Sequence, residues 1–196
     1  MSARGGERRE LILQAAMRVL VRDGAHGFRM RAIAAEAGVG ISHVQYYYKT
    51  LDVVIEAVMA HYLEGWDVLM ADAPTDLAGA LDFMLNCQLQ HGDCQLLWEL
   101  WAMSGRNQAA EAALRTFYAS YTDRVCELVC HGFPDATPAS IRARAVLIVA
   151  LIEGLSILRG NGRETELAPH ARQHVIDAVL ALAALPLVSP PQTDER

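Results

Sequence analysis

Residues 30–49 contain the pattern that most constrains how this chain can fold. The segment MRAIAAEAGVGISHVQYYYK indicates a helix, a glycine-bearing turn and a second, short helix. Ile33, Ala34, Ala37 and Val39 lie at the spacing of an inward-facing apolar side, whereas the second helix carries hydroxyl, imidazole and amide groups on its outer side. Two helices joined in this way are typical of a unit that reads the major groove of DNA.

The charge distribution favours a polyanionic partner for the same region. Residues 1–50 carry eight Lys and Arg side chains and four Asp and Glu side chains, whereas the remaining residues carry nine and nineteen. A segment of net charge +4 therefore precedes one of −10. Arg18 and Arg22 are individually also compatible with a solvated helix face. The reversal of sign between the segments nevertheless favours nucleic acid.

Apolar periodicity outside this segment predicts further helices. A first helix is expected over 7–23, with Gly24 as its left-handed terminator and Phe28 as a plug against the helices that follow. Later helices are predicted over about 51–70, 75–91, 93–103, 108–130, 139–159 and 169–186. Because no period-two alternation is present, we expect an all-α fold of about nine helices.

This pattern divides the chain into two domains and a tail. Residues 1–50 form a three-helix helix-turn-helix DNA-binding domain, residues 51–188 form a helical ligand-binding and dimerisation domain, and residues 189–196 are expected to be a disordered tail. The last two helices are rich in branched apolar residues, among them Val146, Ile148 and Val179. They predict a homodimer through both helices, closed as a four-helix bundle, with burial in the chain's own core as the alternative.

Several other classes of function find little support. The sequence has no nucleophile paired with a base, no glycine-rich phosphate loop and no metal-type cluster, so we expect neither an enzyme nor a cofactor or metal site. The four cysteines are predicted to be buried free thiols, with a sensor built from Cys126, Cys130 and His131 as the alternative. No apolar run reaches eighteen residues and no signal region is present, so we expect a cytoplasmic protein without a membrane partner.

Taken together, the motif residues resemble the tetracycline-repressor (TetR) family of transcriptional regulators. The run from Met30 to Val39, followed by Tyr46-Tyr47-Tyr48-Lys49, carries this resemblance over about residues 8–58. Beyond it, Trp98-Glu99-Leu100-Trp101-Ala102 and Leu151-Ile152-Glu153-Gly154-Leu155 are loosely similar to choline-regulator-like members. The resemblance implies a homodimer that binds an inverted repeat in double-stranded DNA, usually as a repressor that a small molecule releases.

By position, the resemblance implies a recognition helix from Ile41 to Tyr47. Ser, Gln and His side chains can bond base edges, and a Tyr can contact a thymine methyl group or a phosphate. Val44 and Tyr48 are expected in the core, which stays the alternative for Tyr46 and Tyr47. The implied DNA contacts are Arg29, Arg31, Ile41, Ser42, His43, Gln45, Tyr46, Tyr47 and Lys49.

Three positions depart from the family pattern. Arg29 stands where many members have a Thr or Ser cap, Gln45 where many have a tyrosine, and Leu51 where a lysine usually opens the fourth helix. Contact with phosphate is therefore expected to depend more on Arg29, Arg31 and Lys49.

Aromatic and amide side chains in the middle helices predict a pocket for a small-molecule effector. The candidates are Trp66, Phe83, Asn86, Gln90, Trp98, Trp101, Phe117, Tyr121 and Glu153, although ordinary core packing explains the same residues. Glu99 and Glu153 lie in or beside apolar runs, and burial of either would favour a cationic or amine ligand. A helical protein-interaction adaptor and a ligand-independent DNA-binding activator remain alternative functions.

Overall fold

The computed structural model describes residues 3–87, 93–159 and 170–185, and within them the chain is all α-helical. The prediction of an all-α fold is confirmed. The nine helices of these ranges are α1 (Ala3–Gly27), α2 (Met30–Glu36), α3 (Ile41–Tyr47), α4 (Leu51–Ala71), α5 (Leu77–Cys87), α6 (Asp93–Ser104), α7 (Gln108–Gly132), α8 (Pro138–Arg159) and α9 (Ala171–Ala184). No helix among these residues is long and apolar enough to span a membrane.

Contacts between residues group the chain into two compact units. Unit 1 is drawn from Met1–Ala73 and Gln88–Ser120, and unit 2 from Pro74–Cys87 and Tyr121–Arg196. In unit 1, α1 packs against α2, α4 and α6, and α2 packs against α3. In unit 2, α9 packs against α5 and α8. The units cut across the division at residue 50, which remains a prediction about function.

Gly24 breaks α1, as the sequence suggested, but the helix does not end there. Its backbone has φ 64° and ψ −174°, a region that only glycine adopts readily. The chain then makes one more helical turn to Gly27, beyond the predicted end of the first helix at residue 23. Phe28 follows and is buried, with 2% of its surface exposed, as predicted for the plug.

Side-chain caps define several of the helix starts. Thr50 Oγ1 accepts a hydrogen bond from the Val53 amide of α4 at 3.3 Å, and Asp76 Oδ1 accepts one from the Gly79 amide of α5 at 2.8 Å. At the start of α2, Arg29 provides no side-chain cap. This agrees with the departure noted from the sequence, because Arg29 occupies a position at which many TetR-like proteins have a Thr or Ser cap.

In unit 2, one side of α8 packs into the chain's own core. Ala145, Ile148 and Ile152 are buried, which matches the core alternative raised from the sequence. A different side of the helix is open, because Val146, Leu147 and Leu151 are 37–50% exposed. An almost wholly apolar helix gives little periodicity, so its sequence could not show which side faces outward.

The prediction of buried thiols is wrong for Cys130, which is exposed on α7, while Cys126 is partly buried. Burial raises the pKa of the Cys126 thiol, which favours its protonated form. The predicted tail at 189–196 and the effector candidate Gln90 lie outside the described residues.

Candidate functional site

The turn between α2 and α3 is built around Gly38. Its φ of 64° is left-handed, and the amides of Ala37, Gly38 and Val39 bond back to carbonyls of α2 at 2.9–3.2 Å. These bonds satisfy the last carbonyl groups of α2 and reverse the chain within a few residues. The turn therefore fixes the direction in which α3 leaves α2.

α3 begins at Ile41 and ends at Tyr47, the range predicted for the recognition helix. Val44 is the only fully buried residue of this helix, and Tyr48 directly after it is also fully buried. The predicted core roles of Val44 and Tyr48 are confirmed. The Tyr48 hydroxyl donates to the Arg9 carbonyl at 3.3 Å, and the Arg9 guanidinium lies 5.4 Å from the ring centroid.

The outer side of α3 presents polar and aromatic groups to solvent. Ser42, His43 and Gln45 are exposed, and Tyr46 is 79% exposed, which excludes the core alternative for it. Tyr47 is half-buried and meets Tyr46 edge to face, with ring centroids 5.0 Å apart. The exposed set offers the hydrogen-bonding groups that base edges require.

Cationic side chains near α3 differ in whether they are neutralised. Glu36 Oε1 accepts from Arg18 Nε at 2.8 Å, and Glu36 Oε2 accepts from Arg22 Nη1 at 2.6 Å. These bonds lower the pKa of the Glu36 carboxyl. Within the part of the chain that the structure describes, no such carboxylate pairs with the exposed Arg29, Arg31 or Lys49. Their charges are thus available to phosphate.

A contact that the sequence did not indicate joins α6 to α1. Glu99 Oε2 accepts a hydrogen bond from the Ala25 amide at 2.9 Å, directly after the break at Gly24. Close by in sequence, Asn107 Nδ2 donates to Asp52 Oδ1 of α4 at 3.0 Å. No side-chain pattern could have indicated the first contact, because its donor is the backbone amide of an alanine.

Five aromatic side chains of unit 1 form a network of ring contacts. The Phe117 ring lies 5.4 Å from Tyr62, 6.2 Å from Trp66 and 5.1 Å from Tyr118, measured between centroids. Trp101, another effector candidate, donates its indole N–H to the Tyr118 hydroxyl at 2.9 Å, although 54% of its surface is exposed. The structure therefore brings together three of the predicted candidates, namely Trp66, Phe117 and Trp101.

An apolar cavity of about 280 Å³ lies between α4 and the first half of α7. Met59 and Leu63 line it from α4, and Ala113 and Phe117 line it from α7. Glu56 contributes the one carboxylate of its lining. Of the predicted effector residues, only Phe117 lines this cavity. The cavity exists because several of the α7 residues that line it are alanines, and alanines carry no functional group from which a binding site could be predicted.

The other effector candidates lie on several helices. Trp98 of α6 is half-buried, as are Phe83 of α5 and Glu153 of α8, while Asn86 is exposed and Tyr121 is buried. Their contact with a ligand stays a prediction.

The sequence of this chain is similar to those of known transcriptional regulators. The profile of bacterial regulatory proteins of the tetR family matches residues 12–58, the segment that spans α2, α3 and parts of α1 and α4. An HTH-type transcriptional regulator from the dhlA 5′ region of Xanthobacter autotrophicus is 30% identical over 159 residues, covering 76% of this chain and 77% of that protein. The regulator BetI of Paraburkholderia phytofirmans is 26% identical over 187 residues, or 89% and 94% of the two chains.

Solved structures share the fold. A transcriptional regulator from Saccharomonospora viridis in complex with choline superposes with a TM-score of 0.73 at 21% identity, covering 89% of this chain and 96% of that one. At this identity the similarity establishes the fold and leaves the ligand as a property of that protein.

Proposed function

Since the chain belongs to the tetR family of bacterial regulatory proteins and is a DNA-binding transcriptional regulator, not an enzyme, we propose that it is a homodimeric repressor released from DNA by a small molecule. Residues 1–50 would read an inverted-repeat operator in the cytoplasm, and residues 51–188 would bind the effector and pair the subunits. The observation that carries this proposal is α3, whose outer side is exposed and polar. Three exposed cations that have no carboxylate partner among the described residues lie near it: Arg29, Arg31 and Lys49.

The DNA-binding part of the proposal assigns two kinds of contact. Ser42, His43, Gln45 and Tyr46 read base edges, and Ile41 contacts thymine methyl groups, because these side chains are exposed on the outer side of α3. Arg29, Arg31 and Lys49, with the half-exposed Tyr47, contact phosphate and set the position of the helix.

We assign the subunit interface to the open side of α8, together with α9. Val146, Leu147, Ala150, Leu151 and Gly154 are exposed, and each lies three or four residues from another member of the set. This spacing forms a continuous apolar stripe on one side of a helix, the kind of surface that a second identical helix covers in a two-fold bundle. Leu147→Glu should therefore shift sedimentation from dimer to monomer, whereas Val68→Glu, at an exposed valine on α4, should not.

We place the effector in the cavity between α4 and α7 and infer that it is a small organic cation. At about 280 Å³ the cavity lies just below the usual range of ligand pockets, about 300–1,000 Å³, so it suits a molecule of few heavy atoms. Its apolar walls and the Glu56 carboxylate favour a cation with an apolar surface. The choline complex of the Saccharomonospora viridis regulator supports this class.

Selection of duplexes from a random library by the full-length protein tests the DNA-binding proposal. A two-fold symmetric motif is expected, and its absence at physiological salt would contradict repression through an inverted repeat. Transcription from a reporter that carries the selected motif distinguishes a repressor from an activator.

Calorimetry tests the effector class independently. Choline should bind more tightly than its uncharged carbon isostere 3,3-dimethylbutan-1-ol, and Glu56→Gln should remove the difference. Glu64→Ala, at an exposed carboxylate of α4 outside the cavity lining, is the control. Equal affinity for the two compounds in the unmodified protein would overturn the cation assignment.

A further inference from the structure

The corner between α1 and α2 decides where the recognition helix stands. After the break at Gly24, one helical turn leads to the buried Phe28 and then to Arg29, the N-cap of α2. The Phe28 amide donates to the Gly24 carbonyl at 3.1 Å, which closes this turn. Because α2 holds α3 through the turn at Gly38, any rotation at the corner moves α3.

Glu99 is the α6 side chain that contacts this corner. Its Oε2 accepts from the Ala25 amide at 2.9 Å, a bond between residues 74 positions apart in the chain. A carboxylate that accepts from a backbone amide makes a stronger and shorter bond than a neutral acceptor. The bond therefore fixes the corner against α6 rather than merely filling space.

Gly24 fits the same contact for a second reason besides its backbone angles. A Cβ atom on this residue would lie 3.0 Å from Glu99 Oε2. This is tighter than nearly all contacts that a real Cβ makes, so the absent side chain gives the carboxylate its place. Residue 24 thus both breaks α1 and admits Glu99.

We propose that Glu99 is the positioning residue that holds the DNA-binding helices at the orientation the operator requires. The proposal rests on the DNA-binding function assigned above. Trp98 and Trp101 lie near Glu99 on α6, so a movement of α6 is transmitted to the Ala25 amide through the Glu99 carboxylate. Loss of that bond frees the corner, and α2 and α3 then sample orientations that bind the operator less well.

The variants Glu99→Ala and Glu99→Gln, with Glu64→Ala as a matched surface control, separate a positioning role from a structural one. The duplex is one that the unmodified protein has itself selected, and affinity is measured by fluorescence anisotropy per folded dimer. Glu99→Ala should lower affinity about tenfold, the factor expected for one lost charge-assisted hydrogen bond. Glu99→Gln should restore much of it, because its amide oxygen accepts from the same N–H.

The Ala25 amide supplies a direct readout. Its nitrogen and proton chemical shifts should change in Glu99→Ala, return toward their original values in Glu99→Gln and stay constant in Glu64→Ala. Unchanged affinity in Glu99→Ala, whether or not its unfolding midpoint falls, would overturn the proposal. Failure of the unmodified protein to select any duplex would instead refute the DNA-binding function, so the two failures are distinguishable.

Discussion

Replacement of Gly24 by alanine tests how much the break in α1 depends on glycine. The residue has φ 64° and ψ −174°, and a side chain in this region costs about 1–3 kcal/mol. The added Cβ would also lie 3.0 Å from Glu99 Oε2, so the bond to Ala25 must shift or weaken, at a cost of about 0.5–1.5 kcal/mol. Alanine stiffens the unfolded chain and so returns about 0.4–1 kcal/mol.

These contributions leave Gly24→Ala less stable by roughly 2 kcal/mol. Urea unfolding followed by tryptophan fluorescence should show this as a midpoint lower by about 1 M, given a slope of about 2 kcal/mol per M. All proteins must be compared at one protein concentration, because unfolding of a dimer depends on it.

Two other glycines provide matched controls. Gly38 also has a φ of 64°, but no atom lies within 4 Å of an added Cβ. Gly38→Ala should therefore reduce the free energy of unfolding only through backbone strain, by about 1–2 kcal/mol. Gly65→Ala lies inside α4 with open space around it and should gain about 0.5–1 kcal/mol. A midpoint for Gly24→Ala equal to that of the unmodified protein would refute both the strain and the contact with Glu99.

Three further substitutions test charge and recognition. Lys49→Glu should weaken binding to every duplex and lower the salt slope by about 1 or more, because one phosphate contact is lost; an unchanged slope in anisotropy titrations would contradict that contact. Tyr46→Ala should reduce the preference for the selected duplex over random DNA by about fivefold or more without moving the urea midpoint, since Tyr46 is 79% exposed. Glu36→Gln should lower stability near pH 7, because the bonds from Arg18 and Arg22 lower the pKa of Glu36 below its usual 4.5 and so stabilise the fold above that pH. That stability is lost as the pH falls through the lowered pKa, so the urea midpoints of the variant and the unmodified protein should converge as the pH is lowered below 4.5.

Local signals determine how much of this structure the sequence could predict. The bounds of α3 were implied by the family resemblance that residues 30–49 carry, and the structure confirms them together with the expected burial of Val44 and Tyr48. The helix set followed from apolar periodicity, and boundaries moved by a few residues where a break was not an end, as at Gly24.

Contacts between distant residues, and contacts with backbone groups, could not be predicted from such local signals. Glu99 looked like a candidate partner for a cationic ligand, but it bonds the amide of Ala25, a group that every non-proline residue carries. Likewise the composition of α8 indicated an apolar surface without showing which side faces outward. Ile148, named for a dimer interface, proved to be core, whereas Val146, also named, lies open, as do Leu147 and Leu151. Only the three-dimensional path of the chain distinguishes these cases.

The exposure of α3, the proposed recognition helix, has a consequence for how such regulators evolve. Of its seven residues only Val44 is fully buried, so substitutions at Ser42, His43, Gln45 and Tyr46 should change stability by no more than about 0.5 kcal/mol each. After a gene duplication, a few point mutations at these positions can address one copy to a new promoter while its folding, pairing and ligand response are inherited intact. New regulatory circuits can therefore arise from this scaffold without passing through an unstable intermediate.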